Sequence, residues 1–311
     1  MYDIILCGVF KNESHILEEW INHYLSRGVD HIYLINDNSS DNYQDTIEKY
    51  KDKVTLYHND IPHDVPNRQV SIYNKYFLPI LNTSKWAMII DLDEFIYSPT
   101  NKSFKDILLE NDNFSQLHID WLNFGSSGYI EQPCTVISNF TKRASFDTSK
   151  NYYSYKCIFK TISLKEFGIH FNSVNGDTKH FKYSDIVTPD LVLNHYSIQS
   201  REYYLNTKLK RHDVNDYHLH CNTTRDIQFF NNWDTNDIDD TRLVEQNNSI
   251  HKELLTQATP PAWPPLQPVS SPVACPSALL ISVSTTTQSV EPPALIQSPE
   301  YNRLYTTPLA P

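Results

Sequence analysis

The feature that most constrains the fold is a regular alternation, from Tyr2 to Phe95, of short apolar runs with amphipathic stretches of helical period. Such alternation is typical of βα units whose strands lie parallel in one sheet. The apolar runs predict strands at 3–10, 31–36, 54–58 and 86–90. The last run is the most hydrophobic, so it is expected at the centre of the sheet with both faces buried.

The stretches between these strands predict helices at 16–25, 43–50 and 67–81. Asn12 or Ser14 is expected to cap the first helix, and Gly28 is expected to end it. Beyond Phe95 the alternation weakens, which predicts a mixed α+β half. Its expected elements are a helix at 104–109, a strand at 116–119, short strands up to about residue 196, and helices at 200–211 and 242–255.

From Thr256 the composition changes to Pro, Ser, Thr and Ala. Such a segment buries too little apolar surface to become ordered. Residues 1–255 are therefore expected to be the globular part, and 256–311 a disordered tail.

Composition excludes several classes of protein. A formal charge of −11 argues against nucleic acid as a partner. The six glycines form neither a G-x-G-x-x-G nor a Walker loop, so side chains would have to hold a nucleotide. The five cysteines lack C-x-x-C spacing, which argues against a disulfide framework and a zinc site. The first apolar run is too short for a signal or transmembrane helix, which predicts a cytoplasmic protein, with peripheral membrane attachment left open.

Two aspartates, Asp91 and Asp93, follow the predicted central strand. Ligands of open α/β sheets bind at the carboxyl ends of the strands. If the strand continues, the two side chains point the same way and can share one metal with substrate phosphates, for which Mg²⁺ or Mn²⁺ fits better than Zn²⁺. The alternative is a solvated turn.

Several motifs occur in order between residues 3 and 211. They are Lys11-Asn12-Glu13, Leu17-Glu-Glu-Trp-Ile21, Gly28-Val-Asp-His-Ile-Tyr33, Asp37-Asn-Ser39, Trp86 to Phe95, Phe124-Gly-Ser-Ser-Gly128, and Asn194-His-Tyr196 with Ser200. Together they resemble glycosyltransferases of families 2 and 92, including viral and microbial members.

The resemblance implies a GT-A fold, which is Rossmann-like with a mostly parallel central sheet flanked by helices. It also implies transfer of a hexosyl or deoxyhexosyl group from a UDP-sugar or other NDP-sugar to a saccharide or glycan acceptor. A divalent Mn²⁺ or Mg²⁺ ion and inversion at the anomeric carbon belong to the same expectation. Residues 1–97 would be the nucleotide-binding half, and 98–255 the half that binds the acceptor and completes the metal site.

The resemblance also implies roles for single residues on the donor side. The side chains expected at the base and ribose are Val9, Phe10, Asn12, Glu13 and Asp37. A helix cap is the alternative for Asn12, and a turn aspartate is the alternative for Asp37. Arg68 is expected either to bind the pyrophosphate at a helix start or to form a surface salt bridge.

The metal is expected to bind Asp93, with Asp91 contacting the metal or the ribose. His195 is the first candidate to complete the metal shell and His170 the second, although a lone histidine in a strand is more often structural. The cationic residues expected to neutralise the diphosphate leaving group are Lys208 and Arg211, whose alternative is ordinary solvated charge.

A base must take the proton of the acceptor hydroxyl. Asp120 is the first candidate, and the others are Glu94, Asp190 and Glu131. Trp121 and Phe124 are expected either to stack on a sugar or to belong to the core. Two other classes stay open, a metal-dependent phosphohydrolase or phosphotransferase and a non-catalytic carbohydrate-binding module.

Overall fold

The computed structural model describes residues 1–145, 154–184, 188–211, 214 and 225–257, with side chains up to residue 250. The strands of these residues, in chain order, are β1 Tyr2–Phe10, β2 His31–Asn36, β3 Val54–His58, β4 Ser84–Ile89, β5 Glu94–Tyr97, β6 Gln116–Asn123, β7 Lys142–Arg143, β8 Tyr155–Lys160, β9 Leu164–Glu166, β10 Ser173–Val174, β11 Thr178–Phe181, β12 Val192–His195 and β13 Ile238–Asp239.

The α-helices of the same residues are α1 Ser14–Ser26, α2 Gln44–Lys49, α3 Arg68–Ile72, α4 Phe104–Glu110, α5 Arg201–Tyr203, α6 Leu209–Arg211, α7 Ile227–Trp233 and α8 Arg242–Gln257. Two π-helical turns, Tyr73–Phe77 and Tyr204–Lys208, continue α3 and join α5 to α6. Short 3₁₀ segments span Leu78–Thr83 and Thr161–Ser163. The predicted tail begins at 256, whereas α8 runs to Gln257, and the rest of the tail lies outside the described residues.

The main sheet has the strand order β3-β2-β1-β4-β8-β6-β12-β5, and β11 also pairs with β6. Strands β3, β2, β1 and β4 are parallel to one another, and both β12 and β11 are parallel to β6. Strands β8 and β5 run antiparallel to their neighbours. The α/β class with a mostly parallel sheet, which is the GT-A arrangement implied by the resemblance, is confirmed, as is the central place of β4.

Apolar side chains pack on both faces of this sheet. On one face Trp20 and Ile16 of α1 pack in one cluster with Met88 of β4. On the other, Tyr73 and Phe77 belong to a cluster with Ile89. Because β8 is antiparallel to both β4 and β6, strands β1, β2, β3, β4, β6 and β12 all end at the same edge of the sheet. We call this edge the carboxyl edge.

Three local predictions need correction. Neither Asn12 nor Ser14 caps α1, because Asn12 has a left-handed backbone (φ 53°) and the Ser14 amide instead donates to the Asp41 carboxylate at 2.7 Å. The helix predicted at 67–81 is divided into α3, a π-helical turn and a 3₁₀ segment. Strand β6 continues to Asn123, so Asp120 lies inside it. Gly28 does end α1, with a φ of 88° that favours glycine.

None of the helices in the described ranges combines the length and apolar character that crossing a membrane requires.

Candidate functional site

The segment after β4 is a turn rather than a continued strand. The Glu94 amide donates to the Asp91 carbonyl at 3.1 Å, and β5 begins at Glu94. The argument that Asp91 and Asp93 share a metal because both lie on one face of an extended strand is therefore wrong. Each carboxylate meets a different lysine.

Asp93 lies at the carboxyl edge with about 5% of its surface exposed. One carboxylate oxygen accepts a hydrogen bond from the Lys208 ammonium, and the other is 3.7 Å from His195 Nε2. Burial works to raise the pKa of Asp93, but the charge of Lys208 and the proximity of His195 outweigh it and hold that pKa below its usual range. Asp93 is therefore ionised, and its partner Lys208 is equally buried.

Asp91 is the more accessible aspartate, with 40% of its side chain exposed. Its carboxylate lies 2.8 Å from the ammonium of Lys156, which is also 3.5 Å from Glu94. Both Lys156 and Glu94 are buried, and burial raises the pKa of Glu94 well above its usual range. Because the Glu94 side chain is fully buried, an acceptor hydroxyl does not reach it in this structure.

A third ion pair joins the end of β1 to α6. Arg211 lies 2.8 Å from the Glu13 carboxylate and donates to the Lys11 carbonyl at 2.7 Å. Burial raises the pKa of Glu13, and the negative charge of Asp93 adds to that effect. The Glu13–Arg211 and Asp93–Lys208 pairs lie within charge range of each other at the carboxyl edge, and we call the four residues the group around Asp93.

His195 and Asp93 have the chemistry of two ligands of one cation. His195 Nδ1 lies 3.1 Å from the amide oxygen of Asn123, which can only accept, so Nδ1 carries the proton and Nε2 presents its lone pair to Asp93. Burial lowers the pKa of His195 to about 4, so the ring is neutral at neutral pH.

The described residues contain no group of three or more His, Cys, Asp or Glu side chains around a common point. Mg²⁺ and Mn²⁺ are nevertheless often held by one or two protein ligands, with substrate phosphates and waters supplying the rest. The pair formed by Asp93 and His195 therefore fits such an ion.

Asp37 and Arg68, which the resemblance places at the donor, form a buried ion pair. The guanidinium donates to both Asp37 oxygens, at 2.9 and 2.6 Å, and through Nε to the Ile61 carbonyl at 3.0 Å. Asn59 donates to the same carboxylate at 2.7 Å. The pair is not the surface salt bridge considered from the sequence, since each side chain is 1% exposed. A role for Arg68 in pyrophosphate binding stays a prediction.

Two of the side chains predicted at the base and ribose lie in the core instead. Val9 packs in the cluster with Ile89, and the Phe10 ring lies 5.3 Å from Tyr43. Both side chains are buried because β1 is covered on both faces of the sheet. Asn12 links the ends of β1 and β2. Its backbone amide donates to the Ser39 hydroxyl at 3.0 Å, and its side-chain oxygen accepts from the backbone amide of Ser40 at 2.7 Å.

The predicted base candidates are separated in space. Asp120 is buried and accepts hydrogen bonds from His180 Nε2 at 2.6 Å and from the Tyr183 amide at 3.1 Å. Asp190 precedes β12, so it lies at the opposite end of that strand from His195, 3.7 Å from the Lys102 ammonium. The structure does not bring Asp190 to the site. Glu131 lies exposed on a loop.

Aromatic and imidazole rings lie next to His195 at the carboxyl edge. Trp121 lies against His195, with ring centroids 4.2 Å apart, and 5.4 Å from His170. The Phe124 ring is buried against Tyr196, so Phe124 belongs to the core.

Four residues of the site were missed by sequence reasoning as site residues. Three of them lie in strands β8, β6 and β11, whose pairing cannot be predicted from a local sequence pattern. They are Lys156, Asn123 and His180. The sequence indicates Lys11 only as part of the Lys11-Asn12-Glu13 motif. Its ammonium lies within charge range of Asp37, Arg68 and Arg211, and its side chain makes no hydrogen bond or ion pair within the described ranges. The Lys11-Asn12-Glu13 motif at a strand end was the available signal.

A family model described as glycosyltransferase family 92 matches residues 2–257. Similar curated proteins include glycosyltransferase family 92 proteins of Ricinus communis, 25% identical over 214 residues, and of Oryza sativa subsp. japonica, 24% identical over 214 residues. Each alignment covers 65% of this chain, but 37% and 34% of the respective relatives. The chain thus spans little more than a third of the length of these proteins.

Among solved structures, S. aureus TarS has a TM-score of 0.33 at 15% identity, over 51% of this chain and 47% of TarS, and a second TarS structure contains UDP. HddC from Yersinia pseudotuberculosis has a TM-score of 0.34 at 13% identity, over 58% of this chain and 90% of HddC. Similarities this weak support no statement about the function of the chain.

Proposed function

Because the chain belongs to glycosyltransferase family 92, we propose that it transfers a sugar from an NDP-sugar to a hydroxyl of a saccharide acceptor, at the carboxyl edge beside Asp93. The observation that carries the proposal is the group at this edge, in which Asp93 lies between Lys208 and His195. The finer proposal is a UDP-sugar donor, a hexosyl or deoxyhexosyl group, a divalent ion and inversion. Relationship to family 2 and to viral and microbial proteins stays a prediction.

Charge balance supports a divalent ion. Four cationic side chains near the edge are each paired with a carboxylate, in the pairs Lys156–Asp91, Lys208–Asp93, Arg211–Glu13 and Arg68–Asp37. A diphosphate brings further negative charge into a buried region, where uncompensated charge is costly. Lys11 is a described cation close to these pairs that has no such carboxylate partner, so we expect it to contact the diphosphate.

Asp93 and His195 would hold Mn²⁺ or Mg²⁺, which neutralises charge developing on the leaving diphosphate. Lys208 and Arg211 border the same position, so both can hydrogen-bond the departing oxygens after exchanging part of their contacts with Asp93 and Glu13. Their burial strengthens these contacts because water does not screen them.

For the base, we propose the pair of Asp120 and His180. His180 Nε2 donates to the buried Asp120, which turns Nδ1 away from that carboxylate and leaves it to accept a proton, and 29% of the His180 side chain is exposed. The acceptor oxygen would bond to the anomeric carbon as its proton moves to His180 Nδ1. The bond from that carbon to the diphosphate oxygen breaks, and its electron pair leaves with the diphosphate.

The test is release of nucleoside diphosphate from a panel of UDP-, GDP- and TDP-sugars, with Mn²⁺ or with chelator and a mixture of oligosaccharide acceptors. We expect one donor class to react, only with metal, and the product to gain one sugar. Phosphate release from simple esters without sugar transfer would contradict the proposal, as would no reaction with any donor. Asp120→Asn should lower kcat by at least about a hundredfold while leaving donor binding intact.

A further inference from the structure

A set of rings lines the carboxyl edge next to the group around Asp93, and of its members the proposed chemistry uses His180 alone. We call it the ring wall, and its members are His118, Trp121, Tyr155, His170, Phe171 and His180. The His118 and Tyr155 rings stack at 4.4 Å, and Tyr155 lies 5.8 Å from Phe171 and 5.3 Å from His180. The wall is assembled from three paired strands, β8, β6 and β11, and the loop between β9 and β10.

The ring wall is partly open to solvent, unlike the aromatic core. Phe171 is 53% exposed, which exceeds the exposure of every other large hydrophobic aromatic residue in the described ranges. Tyr155 and Trp121 are half-buried, and His170 is exposed. Exposing a phenylalanine ring gives up the free energy of burial, and contiguous exposed apolar surface, such as Phe171 forms with Tyr155, commonly marks a ligand-binding site.

The ring wall adjoins both parts of the proposed site. Trp121 contacts His195, and His170 lies close enough to Lys156 and Asp91 for both charges to act on its imidazole. At the other side, His180 of the proposed base belongs to the wall itself. A ligand seated on the wall would therefore lie between the leaving diphosphate and the base, where an acceptor must lie.

We propose that the ring wall is the acceptor subsite and that it binds a pyranose of a saccharide acceptor through its aromatic faces. This inference rests on the proposed function. A pyranose presents one face of polarised C–H groups, which suits the negative face of an aromatic ring, while its hydroxyls need polar partners. The ring wall offers both, since its imidazoles can donate or accept beside the rings of Tyr155 and Phe171.

The chemistry of the wall favours a neutral acceptor over an anionic one. The negatively charged Asp120 lies directly behind His180 and would repel an anion seated on the rings. The acceptor class is therefore a neutral saccharide rather than a phosphorylated or acidic one.

The test uses the full chain with UDP and Mn²⁺, applied to an array of immobilised neutral and acidic oligosaccharides. Phe171→Ala removes the exposed face, and Phe171→Tyr keeps it. The matched control is Tyr2→Ala. Tyr2 is also an exposed ring next to a histidine, since it lies 5.4 Å from His31 as Phe171 lies 6.1 Å from His118, but it is at the beginning of β1, opposite the carboxyl edge. Parent and variants are first compared by thermal unfolding.

We expect the parent to be retained by neutral glycans, Phe171→Ala to lose at least about fivefold in retention, and Phe171→Tyr and Tyr2→Ala to keep it. Equal retention of Phe171→Ala and parent would overturn the acceptor subsite, as would retention on acidic glycans alone or on no glycan while UDP still binds. A parent that binds no NDP-sugar or UDP with Mn²⁺ would instead count against the proposed function. The two failures are thus distinguishable.

Discussion

Asp37 and Arg68 show at the level of single residues how a predicted ligand contact can be a structural one. The guanidinium makes two hydrogen bonds with the carboxylate and others with the Ile61 and Pro62 carbonyls, so most of its donors are engaged. Arginine suits such a planar, two-point contact, and both side chains are buried. The pair fixes the loop after β3 against the end of β2.

Replacing Arg68 therefore tests a structural role. Arg68→Met leaves Asp37 buried without its cation, and we expect the free energy of unfolding to fall by about 3–5 kcal/mol in chemical denaturation. The double variant Asp37→Asn with Arg68→Met removes both charges and should recover part of the loss. If Arg68→Met kept the stability of the parent and only weakened UDP binding, the pyrophosphate role would be favoured instead.

Lys11 gives the opposite case of a cation free to meet a ligand. Because its side chain has no ion-pair partner in the described ranges, Lys11→Met should leave stability unchanged and weaken UDP binding by about tenfold with Mn²⁺ present. Isothermal titration measures this. Lys51→Met is the control, since Lys51 is exposed on the surface and pairs with Glu48. Equal UDP affinities of the two variants would refute the assignment.

The sequence could indicate only those site residues that lie next to a local pattern. Asp91 and Asp93 follow an apolar strand, and Glu13 follows another, so their place at the carboxyl edge was predictable. Lys156 and His180 lie in strands that are remote in the chain and reach the edge through pairing with β4 and β6. No periodicity within one segment encodes such pairing, so their contribution required the structure.

At the level of elements, α1 is held against β5 by a buried histidine. His23 Nε2 donates to the Ile96 carbonyl at 2.7 Å, and the ring lies edge-on to Phe95 at 5.0 Å. Burial lowers the pKa of His23 well below 6.5, so the folded protein keeps the ring neutral. The unfolded chain takes up a proton on His23 below pH 6.5, and the folded chain does not.

This difference gives a signed pH dependence. Since the unfolded state binds the extra proton, His23 makes stability fall as pH falls below 6.5, by at most about 1.4 kcal/mol per pH unit. His23→Gln has no proton to take up, so its free energy of unfolding should fall less steeply than that of the parent from pH 6.5 to about 5. Denaturation at several pH values measures both slopes, and parallel curves would contradict the assignment.

Elements of the first half were predictable because each is local. Strands β1 to β4 and helices α1 and α2 match the expected segments, since apolar runs and helical period appear within each. The division of the predicted helix 67–81 was not predictable, because it depends on how the segment packs. Pro79 lies in its last part, the 3₁₀ segment. Likewise, β6 is longer than predicted because its last residues pair with β12.

On the scale of the whole molecule, one sheet unites the two predicted halves. Strand β5 belongs to the first half but pairs with β12, and β8, β6 and β12 lie between it and β4. Sequence proximity would place β5 near β4, so this order could not be predicted from local patterns. The halves 1–97 and 98–255 therefore share one core rather than packing as separate units.

A fragment test follows from this order. Residues 1–97 alone leave one edge of β4 and both edges of β5 unpaired, so we expect the fragment to lack a cooperative unfolding transition. Circular dichroism during denaturation measures this, with residues 1–257 as the control. A cooperative transition of 1–97 would show that the first half folds independently.

The central claim is that Asp93 belongs to the donor site, and binding of UDP with Mn²⁺ by isothermal titration tests it most directly. Asp93→Asn keeps the size of the side chain but removes its charge, and Asp112→Asn is the control because Asp112 is 64% exposed and lies before the start of β6, at the other edge. We expect the parent and Asp112→Asn to bind equally, and Asp93→Asn to bind at least about tenfold more weakly. Equal metal-dependent binding by all three proteins, or none by the parent, would contradict the account.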